Sequence, residues 1–378
     1  MTDLLRQEVA ASAGTIVVKV GTRVLTRADG TLDMERIARL AEEVSTIIDA
    51  GRKVVLVSSG AVGAGMSQLR IRERPRDVAK LQAVAAVGQT NLIESYDRTF
   101  RKHGRHAAQV LLTAEDLDDR TRYLNVRNTL LALLEFGAVP IINENDTVAV
   151  DELVATFGDN DRLAALVTNL IRAPLLIILS DVDGLYDGDP NDPNSKLISH
   201  ISRLDEATFA HVRDKATGVS KGGMASKLNA ARIATSAGEN VVIASGRDDR
   251  VLERIIAGET VGTLLIAQGR LLSPWKRWIG FSAQPRGKLV LDSGACRAIV
   301  DQGRSLLAIG IADVEGDFKK GDVVSLIGSD GHQIARGLSN YAADELKKIK
   351  GLKSDHIADV LGHLPYGEVI HRDNLLVG

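Results

Sequence analysis

Cysteine is almost missing from this chain of 378 residues, since Cys296 is its only one. No intrachain disulfide is therefore possible, which is typical of proteins in a reducing cytosol. The formal net charge of −2 gives no global attraction to nucleic acid or to an anionic membrane. No apolar run reaches the roughly 18–20 residues of a membrane span, and the first residues, MTDLLRQEVAASAG, hold no apolar core of a signal peptide. We expect a cytoplasmic protein that does not bind membranes.

Several familiar motifs are also missing. The sequence contains neither G-x-x-x-x-G-K-[ST] nor G-x-G-x-x-G, the two common glycine-rich phosphate motifs. Its eight histidines have no H-E-x-x-H spacing and no cysteine partners, so we expect no zinc site. The stretch DVDGLYDGDPNDPN resembles a calcium loop, but Leu185 stands where a ligand is needed, which argues against an EF-hand.

Strand-like and helix-like segments alternate over the first two thirds of the chain. The strand-like runs are almost continuously apolar, which is typical of strands buried on both faces of a parallel sheet that helices cover. Glycine-rich polar segments follow these runs, so ligands should gather beyond the carboxyl ends of the strands. The runs are TIVVKV (15–20), KVVLVSS (53–59), HAAQVLLT (106–113), VPIIN (139–143), LLIILSDV (175–182), NVVIASG (240–246) and GTLLIA (262–267), with helices expected at 33–51, at about 76–104 and at about 122–137.

The rhythm changes in the last third. Short β-like runs such as GKLVLD, GDVVSLIG and HQIARGLSN alternate there with glycine turns, and one helix candidate, AADELKKIKG (342–351), interrupts them. This pattern predicts a separate small, β-rich, barrel-like domain.

Two lysines stand at the ends of predicted elements. Lys19 lies in VVKVGT (17–22); a lone lysine there usually reaches solvent, yet beside exposed backbone N–H groups it also suits a phosphate. Lys227 ends GVSKGGMASK (218–227), where the alternative is an exposed lysine after a flexible loop. Two lysines brought to one face of a sheet would meet the needs of phosphoryl transfer, because they offset the repulsion between two anions.

Polar segments around these lysines suggest further binding groups. SSGAVGAG (58–65) leads from a strand into a helix, so it either binds an anion through backbone N–H groups or forms a plain turn. Acids and amides crowd NEND (143–146) and GDND (158–161), more densely than like charges pack without a cation. Amides and a carboxylate there can hold an α-ammonium group, while Ser59 and the backbone of Gly60 can hold a carboxylate. A polar surface loop is the alternative.

Six motifs stand in an order that resembles the glutamate 5-kinase branch of the amino acid kinase family: VVKVGT, VSSGAVGAG, INENDTVAV, FGDND, LSDVDGLYDGDP and GGMASK. The resemblance covers nearly the whole chain, and the C-terminal part looks like a PUA domain. It implies a three-layer αβα sandwich around an open, mainly parallel sheet at 1–268, a linker at 269–285, the PUA domain at 286–365 and a tail at 366–378.

The resemblance also implies an activity, which is ATP-dependent phosphorylation of the γ-carboxylate of L-glutamate, the first step towards proline. Mg²⁺ would be carried by ATP, and proline would act as a feedback inhibitor. The family further implies a homodimer or tetramer and a contact with a glutamyl phosphate reductase.

Roles for single residues follow from their positions in the family's motifs. The resemblance implies that Lys19 and Lys227 stabilise the transferring phosphoryl group and that Asp161 orients them. It places glutamate on Ser59, Gly60, Asp146 and Asn160, with Asn143 and Asp159 nearby. Nucleotide binding is assigned to Lys19, Ser180, Asp181, Lys221, Gly222, Gly223, Met224, Ala225, Ser226 and Lys227. The family often has threonine where Ser180 and Lys221 stand. No protein ligand for a metal is expected.

Two other functions fit part of the pattern. Another member of the superfamily, such as an acetylglutamate kinase or a UMP kinase, would share the lysines, but the NEND and GDND clusters favour a free α-ammonium group. An RNA-binding or RNA-modifying role is suggested by the PUA-like part. Residues 286–378 carry 12 Lys/Arg against 13 Asp/Glu, however, so nucleic acid is not an expected partner.

Overall fold

The computed structural model describes residues 3–27, 29–148, 160–189, 192–204, 223–268, 274–362 and 366–377. The chain divides into two compact units, one of Met1–Asp116 and Thr121–Leu271 and the other of Leu117–Arg120 and Leu272–Gly378. Within the described ranges, no helix is both long and apolar enough to cross a membrane.

A single sheet is the framework of the first unit. Its strands are β1 (Thr15–Val20), β2 (Lys53–Ser58), β3 (Ala107–Leu112), β4 (Val139–Glu144), β5 (Leu175–Ser180), β6 (His200–Ile201), β7 (Asn240–Ser245) and β8 (Thr263–Leu265). They lie in the order β3-β4-β2-β1-β5-β7-β8-β6. All neighbours run parallel except β7 and β8, which are antiparallel. The carboxyl ends of β4, β2, β1, β5 and β7 therefore share one edge of the sheet.

Helices accompany this sheet in two groups. The described helices are α1 (Leu4–Ser12), α2 (Thr22–Leu25), α3 (Met34–Asp49), α4 (Ala61–Gln68), α5 (Val78–Lys102), α6 (Ala114–Asp118), α7 (Arg120–Glu135), α8 (Asn160–Ile171), α9 (Met224–Ala237) and α10 (Val251–Ile256). Helix α5 packs against α3 and α4, whereas α8 packs against α9 and lies over β1, β2, β4 and β5.

The alternation of side chains along β1 decides which layer Lys19 faces. Ile16, Val18 and Val20 belong to the hydrophobic cluster that also contains residues of α3 and α5. Because successive side chains of a strand point to opposite faces, Lys19 points into the other layer, where α8 packs. This layer also holds Asp161, in the first turn of α8.

The second unit has its own five-stranded sheet, in the order β10-β9-β11-β12-β13, and its own hydrophobic core. The strands are β9 (Gly287–Leu291), β10 (Ile311–Gly316), β11 (Val323–Ile327), β12 (Gln333–Leu338) and β13 (Leu375–Val377). The helices are α11 (Pro274–Arg277), which continues as a π-helix (Trp278–Ser282), then α12 (Ser293–Val300), α13 (Ala343–Ile349) and α14 (Ile357–Leu361).

The predicted fold class is confirmed: an αβα sandwich with a mainly parallel sheet, followed by a β-rich C-terminal part. Asp33 caps α3, since its Oδ1 accepts from the backbone N–H of Arg36 at 3.1 Å. Helices α1, α12 and α14 were not expected. The range that the sequence assigns to a linker contains α11 and the π-helix, and the range assigned to a tail supplies β13, which pairs with β12.

Candidate active site

Three charged side chains meet at the carboxyl edge of the sheet. Lys19 is near the end of β1, Asp161 is in the first turn of α8 and Lys227 is in the first turn of α9. Lys19 Nζ lies 2.6 Å from Asp161 Oδ1, and Lys227 Nζ lies 3.2 Å from Asp161 Oδ2. Asp161 is fully buried and each lysine is 6% exposed. One carboxylate thus holds two ammonium groups that come from distant parts of the chain.

The charges of this cluster do not cancel. Burial alone raises the pKa of Asp161, but the charges and hydrogen bonds of Lys19 and Lys227 outweigh it and hold that pKa below its ordinary value. Ser226 Oγ also donates to Asp161 Oδ2, at 3.4 Å. Two lysines against one aspartate leave one positive charge in a buried setting, which favours an anion.

A chain of side-chain amides continues from the charged cluster towards β4. Asn160, which precedes Asp161, donates from Nδ2 to Ser59 Oγ at 2.8 Å and to Asn143 Oδ1 at 3.0 Å. Asn143 in turn donates from Nδ2 to Gln89 Oε1 at 2.8 Å. The strand ends β2 and β4 and the helices α5 and α8 each contribute one member. The structure thus brings together Ser59, Asn143 and Asn160, whereas Asp159 lies outside the described residues.

The glycine segment 58–65 turns β2 into α4. Gly60 caps α4 with φ of 109°, a left-handed conformation that favours glycine. A side chain at Gly65 would place Cβ 1.8 Å from the carbonyl oxygen of Val84, so this glycine permits the close packing of α4 on α5. Helix packing and a tight turn therefore explain these two glycines without a bound anion.

A cavity of about 160 Å³ opens beside the far end of the amide chain. It is lined by α5, by β3 and by the NEND segment, and Gln89, Asn145 and Asp146 are among its lining residues. Burial raises the pKa of Asp146 to about 6, although Arg74 lowers it in part. A carboxylate that is costly to ionise in its own surroundings is stabilised when a cationic group binds beside it.

The residues assigned to nucleotide binding lie on the other side of β1. Ser180 ends β5, and its Oγ donates to Asp181 Oδ1 at 3.2 Å. Arg23 holds Asp181 by an ion pair of 2.8 Å. Gly223 is the N-cap of α9, whose first turn contains Met224, Ala225, Ser226 and Lys227. Lys221 and Gly222 lie outside the described residues.

The described part of the chain contains no group of three or more His, Cys, Asp or Glu side chains that could hold a metal ion. Both oxygens of Asp161 face lysine ammonium groups, so this carboxylate is poorly placed to bind a cation.

Sequence reasoning missed two residues of this region. Gln89 lies in the middle of α5, where a polar residue in an amphipathic pattern gives no signal of function. Arg23 follows VVKVGT, and its pairing with Asp181 depends on β1 and β5 being neighbours. Both contacts depend on how elements distant in sequence pack together, which the pattern of a single sequence does not determine.

The family of the chain follows from comparison with known proteins. Residues 14–245 match the amino acid kinase family, and residues 287–361 match the PUA domain. The chain belongs to the amino acid kinase family. The carbamate kinase of Giardia lamblia, solved with bound AMP-PNP, has the same fold at 21% identity and a TM-score of 0.50, covering 68% of this chain and all of that one.

Relatives with higher sequence identity show which kinases of this family the chain resembles. The glutamate 5-kinase of Rhodopirellula baltica is 51% identical over 373 residues, which are 99% of this chain and 96% of that protein. The glutamate 5-kinase of Pseudomonas entomophila is 47% identical over 362 residues, or 96% of this chain and 97% of that protein. The resemblance read from the six motifs is thus confirmed over nearly the whole chain.

Proposed function

We propose that this protein transfers the γ-phosphoryl group of ATP to the γ-carboxylate of L-glutamate and so forms L-glutamyl 5-phosphate, the first step from glutamate to proline. The observation that carries the proposal is the pairing of Lys19 and Lys227 on one buried carboxylate. It stands in a chain about half identical, over almost its full length, to glutamate 5-kinases.

The chemistry of the acceptor explains which groups the site contains. A carboxylate is already ionised at neutral pH, so its oxygen attacks phosphorus without a general base. The difficulty is to bring two anions together and to stabilise the charge on the transferring group. Lys19 and Lys227 supply that charge, and Asp161 holds both ammonium groups in place.

The acceptor amino acid would lie between the charged cluster and the cavity. In the sheet, β2 separates β1 from β4, so their ends are roughly 10 Å apart. This distance suits an extended glutamate with its γ-carboxylate near Lys19 and its α-carbon near β4. Ser59, Gly60, Asn143 and Asn160 would hold the molecule between them, and Asp146 would accept from its ammonium group.

The nucleotide would lie over the ends of β1 and β5. Ser180 and Asp181 would contact it from one side, and the N-terminus of α9, from Gly223 to Lys227, would bind its phosphates through backbone N–H groups and the lysine. We infer that Mg²⁺ arrives with the phosphates of ATP, where it neutralises part of their charge. Feedback inhibition by proline, a homodimer or tetramer, a reductase partner and a cytoplasmic location remain proposals from the resemblance.

The acceptor can be identified by trapping the acyl phosphate with hydroxylamine in the presence of ATP and Mg²⁺. Glutamate, acetylglutamate and aspartate are compared at equal concentration, each with and without proline. We expect hydroxamate from glutamate well above the other two, and less of it when proline is added. Equal or greater product from acetylglutamate would contradict the proposed acceptor, and an unchanged rate with proline would contradict the inhibition alone.

A further inference from the structure

Two buried atoms of the amide chain have no hydrogen-bond partner among the residues that the structure describes. One is Gln89 Nε2, a donor, and the other is Asn160 Oδ1, an acceptor. Gln89 is only 7% exposed, so water does not solvate this donor freely. Buried polar atoms are nearly always paired in folded proteins, so an unpaired donor on a residue that lines a cavity is a candidate to bond a ligand.

The direction of the hydrogen bond between Asn143 and Gln89 determines whether Gln89 has a donor or an acceptor left. Asn143 Nδ2 donates to Gln89 Oε1, so the Nε2 of Gln89 is left for another acceptor. Gln89 lines the cavity that Asp146 also lines. The wall of the cavity therefore contains Gln89, whose buried Nε2 is unpaired among the described residues, together with the carboxyl group of Asp146. A zwitterionic α-amino acid matches this pair, since its carboxylate accepts and its ammonium group donates.

Backbone packing holds Gln89 at a fixed place relative to the serine turn. A Cβ on the preceding residue, Gly88, would lie 1.8 Å from the carbonyl oxygen of Ala61 and 2.3 Å from the amide nitrogen of Gly65. Helix α5 thus touches the backbone of α4 directly at this level. Ser59 leads into α4, so the two ends of the amide chain are joined through a rigid contact.

We propose that Gln89 is a specificity-determining residue whose Nε2 donates to the α-carboxylate of the acceptor, while its Oε1 fixes the amide of Asn143. The proposal rests on the proposed phosphorylation of glutamate and deepens it. The distance across β1, β2 and β4, roughly 10 Å, lets the γ-carboxylate reach Lys19 while the α-carboxylate lies at the cavity.

Steady-state kinetics of Gln89→Met and Gln89→Glu test the proposal at pH 8. Met has similar length and removes both the donor and the acceptor, whereas Glu keeps an acceptor for Asn143 and removes the donor. We expect KM for glutamate to rise about 10- to 100-fold in Q89M, the range of a lost hydrogen bond to a charged group. Q89E should be worse than Q89M, because its carboxylate repels that of the substrate. In both variants KM for ATP should stay within twofold.

Substrate analogues identify the group that Gln89 contacts. 4-Aminobutyrate is glutamate without the α-carboxylate, and glutarate is glutamate without the ammonium group. The preference of the enzyme for glutamate over 4-aminobutyrate should fall at least tenfold in Q89M, whereas its preference over glutarate should not change. Gln109→Met is the matched control, since Gln109 lines the same cavity and no side-chain hydrogen bond joins it to Asn143 among the described residues.

Each outcome is decisive. A wild-type protein inactive on glutamate would overturn the proposed function. If the wild type is active, three results would each overturn the role of Gln89. They are an unchanged KM for glutamate in Q89M, a Q89E variant that behaves like the wild type, and a Q89M variant that loses its preference for glutamate over glutarate. Circular dichroism and thermal melting of the variants show whether a loss of activity comes from unfolding, and in that case Gln89→Asn, a shorter amide, gives the same comparison.

Discussion

Asp161→Asn removes the one negative charge that both lysines share. Its oxygens lie 2.6 and 3.2 Å from the two ammonium groups, and the residue is fully buried. Breaking a buried ion pair on one side typically costs about 3–5 kcal/mol, because the remaining charge loses its partner. For a unit of this size, such a loss lowers the melting temperature by roughly 6–20 °C. We expect a shift in this range, together with a kcat reduced by at least 100-fold.

The effect of bound Mg²⁺-ATP on the melting temperature distinguishes the loss of a charge partner from simple damage to the core. With Asp161 gone, the two lysines form an anion site without an internal counter-ion, so ATP should raise the melting temperature of D161N by more than that of the wild type. Differential scanning calorimetry with and without Mg²⁺-ATP measures both shifts. Glu94→Gln is the control, because its pair with Arg98 is exposed and should contribute at most about 1 kcal/mol. A D161N variant as stable and as active as the wild type would refute the reasoning.

Three further predictions test other parts of the site. Burial raises the pKa of Asp146 to about 6, and in the proposed role its carboxylate would hold the substrate's ammonium group only when ionised. KM for glutamate should therefore rise as the pH falls below 6. D146N should lack this rise, and its persistence in D146N would exclude Asp146 as the cause. Gly88→Ala should lower the free energy of unfolding by about 1–3 kcal/mol in denaturant unfolding, because the new Cβ would clash with the backbone of Ala61. Gly14→Ala is the control and should not destabilise the protein, because the space around Gly14 is open. Asn160→Ala should mainly raise KM for glutamate, by about tenfold or more, because it breaks contacts to two neighbours, and a pure loss of kcat would instead place Asn160 in the chemistry.

Much of the first unit could be predicted because its strands carry a strong local signal. The apolar runs at 15–20, 53–59, 139–143 and 175–182 correspond to β1, β2, β4 and β5 within two residues at each end. Their burial on both faces is what makes them continuously apolar. The strand β6 has only two residues, one of them an exposed histidine, so no apolar pattern in the sequence predicted it.

The residues of the candidate site could be predicted where they lie at the end of a strand. Lys19, Ser59 and Asn143 each stand at the carboxyl end of a buried strand, and parallel strands bring such ends together. Gln89 was not predictable, because it comes from the middle of a helix and reaches the site only through the glycine contact between α4 and α5. The role of SSGAVGAG was open between anion binding and a turn. The left-handed turn accounts for Gly60, and helix packing accounts for Gly65.

In the proposed reaction, Lys19 and Lys227 together offset the charge of two anionic reactants. The most direct measurement is kcat for glutamate in Lys19→Ala and in Lys227→Ala, with folding checked by circular dichroism. Since a cation at the transition state is worth several kcal/mol, we expect each variant to lose about two to four orders of magnitude while remaining folded. Turnover within a few-fold of the wild type in either variant would contradict the account.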